Sequence, residues 1–180
     1  MESIKINDRL FSEYISEERL KDILHGCISE IKKDLSGING IVVLGVLNGG
    51  VPFLNEIVFS FDRNILIDYV KVASYGDGTF SSGKTELLLD TQFDLSKRTV
   101  LIVDDIFDTG NTVRFLRDHI RKKGAENVYA ACLFYKKNTD HRTLKPDYYG
   151  IEIGDDFIIG FGLDYAQRGR NLKEIYRINQ

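Results

Sequence analysis

Proline, cysteine, methionine and tryptophan are all scarce here: two, two, one and none among 180 residues. So little proline leaves no proline-rich linker, and no repeat or low-complexity tract divides the chain, so residues 1–180 are expected to form one domain. Cys27 and Cys132 are too few for a disulfide framework and match no zinc-knuckle spacing, which makes a reduced, cytoplasmic setting the default. No apolar run approaches the ~20 residues that span a bilayer, and MESIKINDRLFSEY lacks a secretory signal's basic-then-apolar order, so no membrane partner is expected. An excess of positive charge is also missing. The formal charge is −3, which argues against broad binding to nucleic acid. What the chain does have is glycine, 16 residues of it, gathered in clusters.

Ser12 to Lys33 predicts a helix. Ser16-Glu17-Glu18-Arg19 opens a capping-type pattern, and Leu20, Ile23, Leu24, Cys27, Ile28 and Ile31 recur at helical spacing. Four short apolar runs follow: Ile41 to Leu47, Ile65 to Ala73, Thr99 to Val103 and Val128 to Tyr135. Runs that are apolar on both faces suit the strands of a parallel sheet covered by helices. Helix candidates lie between them, at Val51 to Phe59 and Asn111 to Lys123. In the second, Val113, Leu116 and Ile120 share one side, while Arg114, Arg117, Arg121 and Lys122 read as solvated. The alternation predicts an α/β fold, an open, doubly wound, mostly parallel sheet with flanking helices. The tail, Ile151 to Asn179, is expected to pack beside it.

Ligands of such sheets sit beyond the carboxyl ends of the strands. The first run leads into Asn48-Gly49-Gly50, and the second into Ser74-Tyr75-Gly76-Asp77-Gly78. The third leads into Asp104 to Thr112, and the fourth into Lys136 and Lys137. Small, polar and charged residues thus gather at one end of every strand, as a binding site requires.

The richest stretch is VLIVDDIFDTGNT, Val100 to Thr112. Thr109, Asn111 and Thr112 supply side-chain donors, and Gly110 permits a tight turn. The N-terminus of the following helix adds amide N–H groups and partial positive charge, making a phosphate cradle. Asp104 and Asp105 can accept from sugar hydroxyls or hold magnesium. Asp108 could take a proton from a reacting base. The plainer reading is that Asp108 or Thr109 only caps the helix.

This run resembles the 5-phosphoribosyl-1-pyrophosphate signature of the type I phosphoribosyltransferases. VLNGG resembles their pyrophosphate loop, and DYVKVASYG the strand entering their mobile lid. KPDYYGIEIGDDFIIGFGLDYAQRGRNL resembles the purine-binding tail of the hypoxanthine-guanine, or 6-oxopurine, branch. The resemblance implies a core of about 36–145 and a hood from about 1–20 and 146–180. It implies transfer of phosphoribose to a 6-oxopurine, with magnesium required, in a homodimer or homotetramer. Asp104 and Asp105 would meet the ribose hydroxyls, directly or through metal-bound water. Asp108 would be the base at purine N7, and Thr109, Gly110, Asn111 and Thr112 would bind the 5′-phosphate. Lys136 would donate to purine O6, Phe157 would stack on the purine, and Ile158 would give backbone contacts. Asp164 would bind a second magnesium ion and Arg170 the pyrophosphate.

Asn48 and Gly49 would face the pyrophosphate. The family often has a lysine where Asn48 stands, and Asn48 brings a donor without its charge. The family's loop can carry a non-proline cis peptide, here expected between Asn48 and Gly49. Ser74 to Thr85 is long, polar and glycine-rich, as a lid that excludes water would be, with Ser74 and Tyr75 at its hinge end.

Two rival readings remain. Gly78 to Thr85, GTFSSGKT, satisfies the P-loop pattern of nucleotide kinases and triphosphatases, and LIVDD could pass for their acidic motif. That pattern must run from a strand directly into a long helix, whereas Glu86 to Thr91 is short and β-like. The other rival is a non-catalytic, RNA-binding regulator that kept the donor-binding fold and uses Arg114, Arg117, Arg121, Lys122 and Lys123. No basic stripe interleaved with aromatics supports it.

Overall fold

A computed structural model describes residues 3–62, 64–75, 84–137 and 145–179. In chain order the elements are β1 (Ser3–Ile6), β2 (Arg9–Ile15), α1 (Glu17–Leu35), β3 (Val42–Leu47), α2 (Val51–Ser60), β4 (Leu66–Tyr75), β5 (Lys84–Leu89), β6 (Thr99–Phe107), α3 (Asn111–Lys122), β7 (Asn127–Lys136), β8 (Tyr148–Ile153), β9 (Ile158–Ile159) and β10 (Ile175–Ile178).

Six strands form the main sheet in the order β5-β4-β3-β6-β7-β8, parallel throughout except for the β4–β5 edge pair. The apolar runs are buried on both faces because alternate residues enter different cores. Val43, Leu101, Val103, Ala131 and Leu133 join the core under α1 and α2. Val42, Leu44, Val100, Ile102, Ala130 and Cys132 join the core under α3. Each fully buried Val or Leu contributes about 1.5–3 kcal/mol. The sheet is therefore doubly wound, as expected from the sequence.

The chain leaves β3 in one direction, through α2 to β4, and leaves β6 in the other, through α3 to β7. The order reverses between β3 and β6, so their carboxyl ends form the crevice where ligands of such sheets bind.

A second sheet, β1-β2-β10-β9, joins the two ends of the chain. Phe11, Ile159 and Tyr176 are its buried centre. β8 belongs to the main sheet and α1 packs on it, so this hood takes its tail residues from β9 onward.

Several sequence expectations are corrected. Ser12 to Ile15 is strand, and α1 begins after Ser16, whose side chain accepts from the Arg19 N–H as the capping pattern predicted. The strand of the third run continues through Asp104 and Asp105 to Phe107, so these acids belong to the sheet. Arg117 is buried rather than solvated; it pairs with Asp147 and donates to the Lys145 carbonyl. Lys123 likewise pairs with Asp90. Two members of the basic cluster are thus tied to neighbouring carboxylates. Lys84 and Thr85 lie in a strand antiparallel to β4, so the P-loop pattern opens no helix there. The expected lid, with Gly76, Gly78 and Gly83, falls largely on residues 76–83, outside the described residues.

Both cysteines are free and buried, and burial pushes the Cys27 thiol up to about 12. Among the described residues, no helix is long and apolar enough to cross a membrane.

Candidate active site

A cavity of about 360 Å³ opens in the crevice between β3 and β6. Its wall is the continuous stretch Asp104 to Val113, the β3 end from Val46 to Gly49, Val72 of β4, and Arg170 from the hood. Nine of the sequence candidates therefore share one cavity wall: Asn48, Gly49, Asp104, Asp105, Asp108, Thr109, Gly110, Asn111 and Thr112, with Arg170 as a tenth.

At its floor Asp104 is 6% exposed, and Asp105 beside it is half-buried. The Asp104 carboxylate accepts from the Asp105 N–H at 3.0 Å, and the Asp105 carboxylate from the Ile106 N–H at 2.7 Å. Burial raises both carboxyls above the ordinary range, Asp104 further because the Asp105 charge adds to it. Gly49 lies against the second carboxylate: an ideal Cβ at that position would stand 1.5 Å from Asp105 Oδ2. Any side chain there would have to displace the Asp105 carboxylate or lift the loop.

Across the cavity Gly110 caps α3 with φ of +74°, and no side chain makes a capping hydrogen bond. Thr109 Oγ1 accepts only at 3.5 Å from the Asn111 N–H. A helix N-terminus with so little side-chain capping suits an anion. Asn111 Oδ1 accepts from Arg114 at 3.1 Å, steadying the first turn.

Asp108 leaves the end of β6 and Lys136 the end of β7, and Lys136 Nζ donates to Asp108 Oδ2 at 3.3 Å. Arg170 donates to the Gly162 carbonyl at 2.7 Å and pairs with Asp164, which also accepts from the Gln167 N–H. Asp164 is therefore tied to the cavity through Arg170. Phe157 lies on the hood, 44% exposed and edge-on to Tyr165 at 5.9 Å. Ile158 is buried in β9 and pairs with Arg177. Ser74 and Tyr75 end β4 with their backbone opposite Thr85 and Lys84. Phe157, Ile158, Lys136 and Asp164 are not among the described residues that line the cavity.

The cis peptide is Leu47–Asn48, one bond earlier than expected. The residues that sequence reasoning missed are mostly apolar wall: Val46, Leu47, Val72, Ile106, Phe107 and Val113. Gly162 was also missed. It holds φ of +101°, and an ideal Cβ there would meet the Gly49 carbonyl oxygen at 2.0 Å, so the hood loop rests directly on the β3 loop. Its one sequence signal was the unusual spacing of glycines in IIGFG.

Among the described residues, no group of three or more His, Cys, Asp or Glu side chains converges as a ready metal cage. Two crowded carboxylates do suit magnesium, which typically takes one or two carboxylates and completes its shell with water and substrate phosphate.

Residues 12–166 match the model of the phosphoribosyl transferase domain. The hypoxanthine-guanine phosphoribosyltransferase of Aquifex aeolicus is 36% identical over 165 residues, covering 91% of this chain and 92% of that one. The enzyme of that name from Streptococcus mutans is 40% identical over 144 residues, 80% of this chain and 79% of its own. A crystal structure of a hypoxanthine-guanine phosphoribosyltransferase from Bacillus anthracis, with HEPES in its active site, superposes with a TM-score of 0.86 at 32% identity. It covers 93% of this chain and 98% of that one.

Proposed function

The chain belongs to the phosphoribosyltransferase family, in its hypoxanthine-guanine branch, and from that premise we propose how its residues carry the reaction. Phosphoribose passes from 5-phosphoribosyl-1-pyrophosphate to a 6-oxopurine, giving the nucleoside 5′-monophosphate and pyrophosphate in purine salvage. The observation that carries the reading is the uncapped α3 N-terminus at Gly110, sharing one cavity with Asp104, Asp105 and Asp108.

Thr109, Gly110, Asn111 and Thr112 bind the 5′-phosphate through amide and side-chain donors. Asp104 and Asp105 accept from the ribose hydroxyls, which fixes the sugar above the β6 end. Arg170 and the Asn48–Gly49 loop hold the pyrophosphate, with Ser74 and Tyr75 at the lid's edge. Asn48 contributes a hydrogen bond without the charge of a lysine, so Arg170 supplies the cationic contact. On the other side Lys136 donates to purine O6. An ammonium has no acceptor, so a 6-amino group is refused. Phe157 stacks on the ring, and the Ile158 backbone meets its edge. Asp108 takes the N7 proton, and the hydrogen bond from Lys136 Nζ holds its carboxylate in place. Holding sugar carbon and purine nitrogen in line supplies much of the acceleration.

Magnesium is the implied cofactor. Asp104 and Asp105 would hold it at the sugar, and Asp164 a second ion at the pyrophosphate. When bound, it neutralises charge on the leaving group. The free, buried cysteines support a reducing, cytoplasmic setting, and the family resemblance supports a homodimer or homotetramer.

The test is to mix the protein with hypoxanthine, the donor and magnesium and to follow inosine 5′-monophosphate. Its formation is expected. ATP hydrolysis without any purine-dependent product would instead support the P-loop reading.

A further inference from the structure

Phe107 ends β6 and is 1% exposed. It stands opposite Tyr135 in the parallel β6–β7 ladder, and the two rings meet edge-on at 5.8 Å and 61°. The residue that follows each in the chain is Asp108 or Lys136, whose side chains form the 3.3 Å pair. The same Phe107 ring fills the space beside Gly110. An ideal Cβ at Gly110 would come within 2.6 Å of Phe107 Cζ and 2.9 Å of Cε1. One ring therefore touches both the turn that opens the phosphate cradle and the strand-end neighbour of the Asp108–Lys136 pair. Tyr135 in turn packs on Tyr149 at 5.1 Å, so the strand end is braced from behind.

We propose that Phe107 is a positioning residue that joins the two halves of the site: through Gly110 it sets the phosphate cradle, and through Tyr135 it sets the distance between Asp108 and Lys136. The proposal rests on the assignment of those two residues to the purine. It goes beyond that assignment in making the halves mechanically dependent on one side chain. A flat ring suits the task, since it presents an edge to Tyr135 and another to Gly110 without rotamer freedom along its length.

The experiment compares Phe107→Ala, Phe107→Leu, Tyr135→Leu and a control, Leu116→Ala. Leu116 is fully buried in the same core on α3 and does not line the cavity. Ribose 5-phosphate binding by calorimetry reads the cradle alone, and kcat and KM with hypoxanthine read the whole site. Phe107→Ala should weaken ribose 5-phosphate binding about tenfold and lower kcat by about ten- to a hundredfold, the scale of a sub-ångström to ångström misplacement. Phe107→Leu, closer in bulk, should recover both to within about threefold. Tyr135→Leu should lower kcat while sparing ribose 5-phosphate binding, and it decides the matter by itself should Phe107→Ala not fold. Leu116→Ala should lower Tm with neither effect. Equal losses in Phe107→Ala and Leu116→Ala, or an unchanged kcat in Tyr135→Leu, would overturn the proposal. A wild-type protein that binds ribose 5-phosphate yet turns over no purine would instead overturn the purine assignment beneath it.

Discussion

Gly49 and Asp105 occupy adjoining space so tightly that a Cβ on the one would stand 1.5 Å from a carboxylate oxygen of the other. The β3 loop and the β6 acids are thereby locked together across the crevice. Gly49→Ala should force the Asp105 carboxylate aside or lift the loop. Donor KM should rise at least about tenfold, with a smaller change in hypoxanthine KM, since displacement of this order costs up to about 10²-fold. Steady-state kinetics with each substrate varied in turn would check this.

Asp108→Asn removes the base while keeping the size and one acceptor of the side chain. Loss of general base catalysis typically costs about 10²–10⁴-fold, and kcat should fall within that range. Calorimetry with the donor should show little change in affinity. Full turnover by this variant would remove Asp108 from the role.

Lys136→Ala should lower kcat/KM for hypoxanthine by roughly ten- to a hundredfold, the worth of a hydrogen bond to a charged group. Discrimination against adenine should shrink at the same time. Purine kinetics unchanged by the substitution would move the O6 contact elsewhere.

Asp104 and Asp105 set a pH dependence whose sign follows from burial. Burial, with the neighbouring charge, raises Asp104, and burial raises Asp105. Between the unfolded carboxyl value of about 3.9 and the raised folded values, the native state binds more protons than the unfolded one. In the metal-free protein these two groups should therefore contribute a loss of stability as pH rises through that window, opposite in sign to Asp8, Glu17, Asp68, Asp90 and Asp94, whose carboxyls are lowered. Asp104→Asn, which cannot ionise, should flatten the loss and raise Tm at neutral pH by on the order of a few degrees. The same change should weaken donor binding. Scanning calorimetry of both proteins from pH 4 to 8 would reveal the difference, and a Tm gap between Asp104→Asn and wild type that does not widen with pH would contradict the account.

The strand framework was legible in the sequence because parallel strands buried on both faces are nearly continuous apolar runs, and their neighbours in the sheet follow in chain order except where β3 meets β6. The cavity wall from Asp108 to Thr112 was legible because that stretch is contiguous. What escaped depends on distant partners. Ser12 to Ile15 reads as the start of a helix until β10 is available to pair with it. Arg117 reads as solvated until Asp147, thirty positions on, closes over it. The contact of Gly162 with Gly49 joins segments that no local pattern connects. Phe107 looks like ordinary core, and only the fold shows that its ring stands against Gly110 and opposite Tyr135.

The most direct measurement is pyrophosphate release with donor and magnesium across hypoxanthine, guanine, xanthine and adenine. The account predicts release with hypoxanthine or guanine and little with adenine, because Lys136 offers a donor where adenine needs an acceptor. Release that is fastest with adenine, or absent with every purine, would contradict it.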